Sequence, residues 1–266
     1  MDIGYRLSAI GIPEGPMTPI LEAHDLALAF KGVRALNGVS FTVNPGDFFA
    51  VIGPNGAGKT SLLNVLSGLY RPQQGTVRFL GEDLSGVSPQ ERARRGLGRT
   101  FQNLELFRGM SVLDNVKLGA ELAMGAYSAL TPDTRKEWAI RRWAEEVLDY
   151  LHLAPHRHKH AGALPYGLQK RVEVARALAG KPKLLLLDEP MAGLSLEEKQ
   201  DLARFLLDAR REWGVTMVLV EHDLKAVLEL STGVLVMSYG EVLYLGEPGG
   251  VRDNPRVAEA YLGRSA

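Results

Sequence analysis

Eight consecutive residues, Gly53-Pro54-Asn55-Gly56-Ala57-Gly58-Lys59-Thr60, fit the spacing G-x-x-x-x-G-K-[ST] at every fixed position. Chemistry requires those types. Glycines let the backbone curl until successive N–H groups point inward, a concave surface suited to phosphate oxygens. A helix opening at the end of the loop adds its positive end. Lys59 can neutralise β- and γ-phosphates, and the Thr60 hydroxyl, followed by Ser61, can ligate Mg²⁺. Far downstream, Leu184, Leu185, Leu186 and Leu187 run into Asp188, Glu189 and Pro190. Four apolar residues bury a strand and two carboxylates emerge at its end. Asp188 can hold Mg²⁺ through its water shell, and Glu189 can polarise and orient an attacking water.

These groups work only if strands and helices deliver them. Phe48–Ile52 is a short apolar run, which predicts a buried strand, and SLLNVLSG predicts the helix that the loop must open. Leu21–Phe30 and residues 39–43 alternate like half-exposed strands. Residues 75–84 read as another strand and turn, and 89–96 as a short basic helix. Helical spacing returns over 112–120, 134–151 and 164–178, then over Leu196–Trp213, 223–230 and Pro255–Leu262. Strands are expected at 184–187, 215–220, 234–237 and 242–245. Strands alternating with helices give an α/β fold with a largely parallel sheet. The helical block at 105–180 interrupts it and reads as a separate lobe. Residues 1–20 read as a loose arm, 21–104 with 181–250 as the core, and 251–266 as a terminal helix and tail.

Composition bounds the rest. The chain has 266 residues, 45% hydrophobic and 23% charged, with a formal net charge of zero. No global field draws it to nucleic acid, which is not expected as a partner, or to anionic lipid. The lack of cysteine excludes disulfides and thiolate metal sites and suits a cytosolic protein. The N-terminal residues lack the basic start and apolar run of a signal peptide. No apolar run approaches the ~18–20 residues of a membrane helix. If the protein works at a membrane, another chain crosses it.

Further stretches complete an ordered set that resembles the ATP-binding cassette (ABC) ATPases. RTFQN, with Gln102, is similar to that family's glutamine loop, LPYGLQKR to its signature, AGLS at 192–195 to the loop after the two carboxylates, and VEHD, with His222, to its switch histidine. The resemblance implies a P-loop nucleotide-binding domain with a RecA-like core, an antiparallel β subdomain and an inserted helical lobe. It implies ATP and Mg²⁺ as cofactors and ATP hydrolysis as the activity. Phe30 matches the aromatic that stacks on adenine, although a strand phenylalanine also commonly fills a core. Gln102 matches the residue that senses Mg²⁺ and the attacking water and links the site to a membrane partner. His222 matches the group that contacts the γ-phosphate. The family packs two ATPase units head to tail, so a second ATPase subunit is expected. Permease subunits are expected too and, indirectly, a periplasmic or extracellular substrate-binding protein. The implied location is peripheral, on the cytoplasmic face of the inner membrane. The absence of NKxD argues against a GTPase.

A narrower likeness lies in RTFQNLELFRGMSVLDNV, LPYGLQKRVEVARAL, EPMAGL, VEHD and NPRVAEAYLG. These resemble the ATP-binding subunits of branched-chain amino acid uptake transporters, and the extended 120–151 region with the RTFQ loop resembles the longer of that system's two ATP-binding chains. Two alternatives stand beside it: the ATPase of a lipid or lipopolysaccharide exporter, and a soluble ABC switch acting in translation or DNA repair. Soluble switches usually carry two cassettes or long coiled-coil inserts, and neither is present.

The signature departs from the family's Leu-Ser-Gly-Gly-Gln, with Leu164, Pro165, Tyr166, Gly167 and Leu168 in those places. Without the serine, contact with a facing unit's γ-phosphate is expected to fall to backbone N–H groups of Tyr166 and Gly167 and to the helix dipole. Lys170 and Arg171 would add positive charge. His152, His156, His158 and His160 are expected in a solvated loop rather than a metal site. ERARRGLGR is expected to be a solvated helix face, and residues 135–146 to pair charges at i,i+4.

Overall fold

The computed structural model describes residues 18–125, 134–221 and 224–262. In chain order these form β1 (Leu21–Phe30), β2 (Val33–Val43), β3 (Phe48–Ile52), α1 (Lys59–Leu66), β4 (Gln74–Phe79), β5 (Glu82–Asp83), α2 (Pro89–Arg94), β6 (Leu97–Arg99), α3 (Val112–Met124) and α4 (Thr134–Tyr150). The second half forms α5 (Tyr166–Ala179), β7 (Leu184–Asp188), α6 (Leu196–Trp213), β8 (Thr216–Val220), α7 (Leu224–Leu230), β9 (Gly233–Ser238), β10 (Glu241–Gly246) and α8 (Pro255–Leu262).

Two sheets result. A six-stranded sheet has the order β10-β9-β3-β8-β7-β6, parallel except for the edge strand β10. A four-stranded antiparallel sheet has the order β2-β1-β4-β5. The period-2 alternation of strands explains how they share cores. Phe49, Val51, Leu184, Leu186, Val218 and Val220 face the antiparallel sheet and α1. Phe48, Leu185, Leu187, Met217 and Leu219 face the helices α3 to α6. The central strands are covered on both faces, which is why they read as unbroken apolar runs.

Three strand expectations change. β2 begins at Val33 rather than at 39, and residues 75–84 divide into β4 and β5. β6 has three residues and pairs with β7 through Leu97↔Leu184 and Arg99↔Leu186; so short a strand offers no periodicity to detect. The late strands β9 and β10 form a hairpin whose loop residues, Tyr239 (φ 48°) and Gly240 (φ 81°), both lie in the left-handed region, as a type I′ turn requires.

ERARRGLGR is a solvated face only in part: Arg94 and Glu91 are exposed, while Arg92 and Arg99 turn inward. Arg92 is buried and donates to the carbonyls of Val65 (2.9 Å), Leu66 (2.8 Å), Leu84 (2.8 Å) and Val87 (3.1 Å). The rigid five-donor fork of a guanidinium suits that task, and it adds partners to the carbonyls at the end of α1, where intrahelical donors run out. Arg95 bridges Glu82 and Glu91, and Arg99 is buried as well. Residues 135–146 do pair as expected, Arg141 with Glu145 and Arg142 with Glu146.

Aromatic side chains fasten the helical layer. The Trp143 and Trp213 ring centroids are 5.5 Å apart, and the Tyr150 ring lies 4.4 Å from Trp213. Trp143 Nε1 donates to the Ala179 carbonyl at the end of α5 (2.9 Å), and Trp138 lies on the exposed face of α4. In the histidine-rich turn His158 and His160 are exposed, His152 packs edge-on against Phe205, and His160 Nδ1 meets the Gly109 carbonyl at 2.9 Å.

Candidate active site

β3 delivers the chain into the glycine-rich loop, and α1 begins at Lys59. Two loop glycines are required by close approach as well as by φ. A Cβ on Gly53 would strike the Met237 carbonyl and one on Gly58 (φ 100°) the Ala35 carbonyl. Gly58 caps α1 without a side chain, which leaves the helix's first N–H groups facing the loop. Lys59 is buried, and its Nζ donates to the Gly53 (2.7 Å) and Pro54 (3.0 Å) carbonyls. Burial lowers its pKa, opposed by the charges of Glu189 and Asp188.

A cleft of about 550 Å³ is lined by Asn55, Gly56, Ala57, Gly58, Lys59, Thr60 and Ser61, with Gln102 and Glu189 on the far wall and Val33 and Arg34 of β2 at its side. Residues distant in sequence therefore meet across one space. Gln102 Nε2 donates to Glu189 Oε2 (3.1 Å). Glu189 is held by its backbone N–H, which donates to the Val220 carbonyl (2.9 Å), at a φ of 49°. A non-glycine residue in that region is strained, and such strain gathers at functional sites.

Asp188 ends β7 in the interior. Arg99 Nη2 donates to its Oδ2 (3.2 Å), the Thr100 hydroxyl accepts from its backbone N–H (3.3 Å), and its Oδ1 is buried without a protein partner. Burial raises its pKa, with the Arg99 guanidinium pulling it back down. The orphaned oxygen of Asp188 and, in the cleft, the Thr60 hydroxyl and the Gln102 amide are oxygen donors of the kind a hard divalent cation takes. The residues present fit Mg²⁺.

Tyr166 and Gly167 do not line this cleft. They open α5, behind Pro165 as a cap with no side-chain acceptor. The Tyr166 ring lies over Gly193, and the Glu198 carboxylate lies against Gly167. A carboxylate there suits the positive end of the helix. Lys170 and Arg171 do not add charge to that turn. Lys170 is buried on Gln102 and Glu173, and Arg171 lies over the Phe205 ring beside Asp201. Phe30 is 44% exposed at the end of β1, edge-on to Tyr70 and not in the core. His222 lies outside the described residues. Sequence reasoning missed Arg99, read as part of a solvated face, and the buried place of Lys170, read as positive charge at the signature turn. It also missed Glu221, whose Oε1 accepts from the Met191 N–H (2.8 Å).

A phosphate-type loop at the mouth of a parallel sheet, facing a glutamine and a carboxylate from other loops, defines an ATP-binding cassette ATPase. Residues 36–192 match the ABC transporter family model, and the chain belongs to that family. ATP hydrolysis is its activity. Two relatives are high-affinity branched-chain amino acid transport ATP-binding proteins. BraF of Pseudomonas aeruginosa is 39% identical, and LivG of Escherichia coli (strain K12) 38% identical, each over 93% of this chain and 99% of the relative. Among solved structures, the ADP conformation of MJ1267, an ATP-binding cassette of an ABC transporter, superimposes with a TM-score of 0.80. It is 31% identical over 93% of this chain and all of that one. No helix among the described residues is long and apolar enough to cross a membrane.

Proposed function

We propose that the chain is the ATP-hydrolysing subunit of an importer for branched-chain amino acids, held peripherally at the cytoplasmic face of the membrane by permease subunits. One observation carries this reading: Lys59, Thr60, Gln102 and Glu189 converge on a single cleft in a chain that matches BraF and LivG nearly end to end. Lys59 and the loop N–H groups bind the phosphates. Phe30, exposed beside β2, stacks on the adenine. Thr60 and Asp188, with Gln102 alongside, would hold Mg²⁺, which would supply positive charge against the phosphates. Glu189 polarises the attacking water, and the Gln102 amide fixes the carboxylate's orientation. His222 contacts the γ-phosphate.

Tyr166 and Gly167, on the lobe at 105–180, serve the phosphate loop of a second ATPase unit packed head to tail. Closure on ATP and reopening after hydrolysis supply the two states that transport needs. An apolar cleft of about 390 Å³ beside Gln102, walled by Leu69, Phe101, Phe107, Leu118 and Leu122, receives a segment of the permease. The test is affinity capture of the tagged chain from membranes, with leucine uptake measured in cells lacking it. Recovery of permease chains and a second ATPase, with loss of uptake, is expected. Recovery with ribosomes or DNA instead would sink the reading.

A further inference from the structure

Arg99 lies behind the carboxylate of Asp188. Its side chain is 7% exposed and that of Asp188 1%. Nη2 donates to Asp188 Oδ2 at 3.2 Å, and Nη1 donates to Ser67 Oγ at 2.6 Å. The Ser67 hydroxyl in turn donates to the Leu63 carbonyl (2.8 Å) at the end of α1. The guanidinium also lies 4.9 Å from the centroid of the Phe101 ring. Arg99 thus ties three pieces together: the helix that opens at Lys59, the strand that ends in Asp188, and the loop that carries Gln102.

We infer that Arg99 is a positioning residue: it holds Asp188 by one oxygen so that the other, Oδ1, is left free to take a divalent cation. Three features carry this. The Arg99–Asp188 contact engages Oδ2 while Oδ1 has no protein partner, although both are buried. Rotation of the carboxylate would exchange the two oxygens, and Arg99 opposes it. Ser67 anchors the second arm of the fork, so the guanidinium is fixed independently of Asp188. Partners of this kind, which orient a metal's ligands, typically account for about 10–100-fold in metal affinity. Arg99 and Phe101 also line the apolar cleft beside Gln102, so the same guanidinium borders the proposed permease seat and the proposed metal ligand.

The inference rests on Asp188 as a Mg²⁺ holder, and the experiment separates the two. Mn²⁺ serves as the probe, titrated by electron paramagnetic resonance into the chain loaded with a non-hydrolysable ATP analogue. Analogue affinity is measured separately in chelator. For Arg99→Met we expect Mn²⁺ affinity to fall about tenfold or more with metal-free analogue binding unchanged, and for Arg99→Lys a partial recovery. If Arg99→Met binds Mn²⁺ like the parent while Asp188→Asn does not, the positioning role is overturned and the metal reading stands. If Asp188→Asn also binds normally, the metal reading itself fails. Should Arg99→Met not fold, Ser67→Ala decides. That change keeps the charge and removes its anchor, so it should weaken Mn²⁺ measurably, by less than the about 10–100-fold typical of removing the orienting group itself. Unchanged Mn²⁺ affinity in that variant refutes the role.

Discussion

Lys170 Nζ donates to the Gln102 carbonyl at 3.1 Å, from a side chain only 1% exposed. One residue belongs to the helix that opens at the altered signature, the other to the loop whose amide reaches Glu189. The same ammonium lies 3.6 Å from Glu173, whose carboxylate accepts from the Phe101 N–H (3.4 Å). The signature helix and the glutamine loop are joined through a buried charge pair, so a displacement of α5 carries the loop with it.

Removing one member of that pair leaves the other buried and uncompensated. Lys170→Met is expected to cost about 3–5 kcal/mol of folding stability, while pairing it with Glu173→Leu recovers most of the loss, as for other buried pairs replaced together. Urea denaturation of the two variants gives the comparison. Equal losses would mean that the pair is not coupled.

Burial raises the pKa of Glu173 above its ordinary 4.5, opposed by Lys170. The native state therefore keeps that proton at pH values where the unfolded chain has released it. Stability falls as pH rises from the ordinary value through the raised one. Glu173→Gln cannot titrate, so the difference in stability between parent and variant should change across that window and level off above it. Denaturation series at several pH values, read as that difference, provide the check; a flat difference would contradict the sign.

Glu189→Gln keeps the hydrogen-bonding shape near Gln102 and removes the base. Turnover is expected to fall about 10²–10⁴-fold, the usual contribution of a positioned base. Nucleotide binding should remain, and an ATP-bound dimer with the cognate partner should accumulate. Phosphate release and size-exclusion chromatography measure both. Normal turnover in the variant would refute the role.

Pro165 sits at the cap of α5 with extended backbone (φ −52°, ψ 151°) and no side-chain acceptor. Pro165→Ser supplies one, which is expected to add about 0.5–1 kcal/mol to stability and to preserve or raise turnover. A thermal melt and a steady-state ATPase assay suffice. A severe loss of turnover would show that the proline turn is itself required.

Legibility followed local pattern. β3, the glycine loop and α1 could be read because apolar runs and glycine spacing are properties of adjacent residues, and the same holds for the leucines of β7. Arg92, Arg99 and Lys170 could not. A cation looks the same in sequence whether water surrounds it or a carbonyl more than sixty residues away receives it, as Gln102 receives Lys170. β6 was hidden because its three residues are a strand only by virtue of Leu184 and Leu186 alongside. At the site, the type of each loop residue could be read. The neighbourhood of Tyr166, over Gly193 and away from the phosphate loop, depends on how α5 packs and has no local signal.

The chain's three tryptophans, Trp138, Trp143 and Trp213, lie on α4 and at the end of α6, and none lines the nucleotide cleft. The molecule carries a built-in optical gauge for its helical layer. A bound base cannot quench these indoles by contact. Emission that changes when nucleotide is added therefore reports rearrangement around the helical layer, by movement within the chain or by closure against a second unit, and its time course would follow that event without an attached dye.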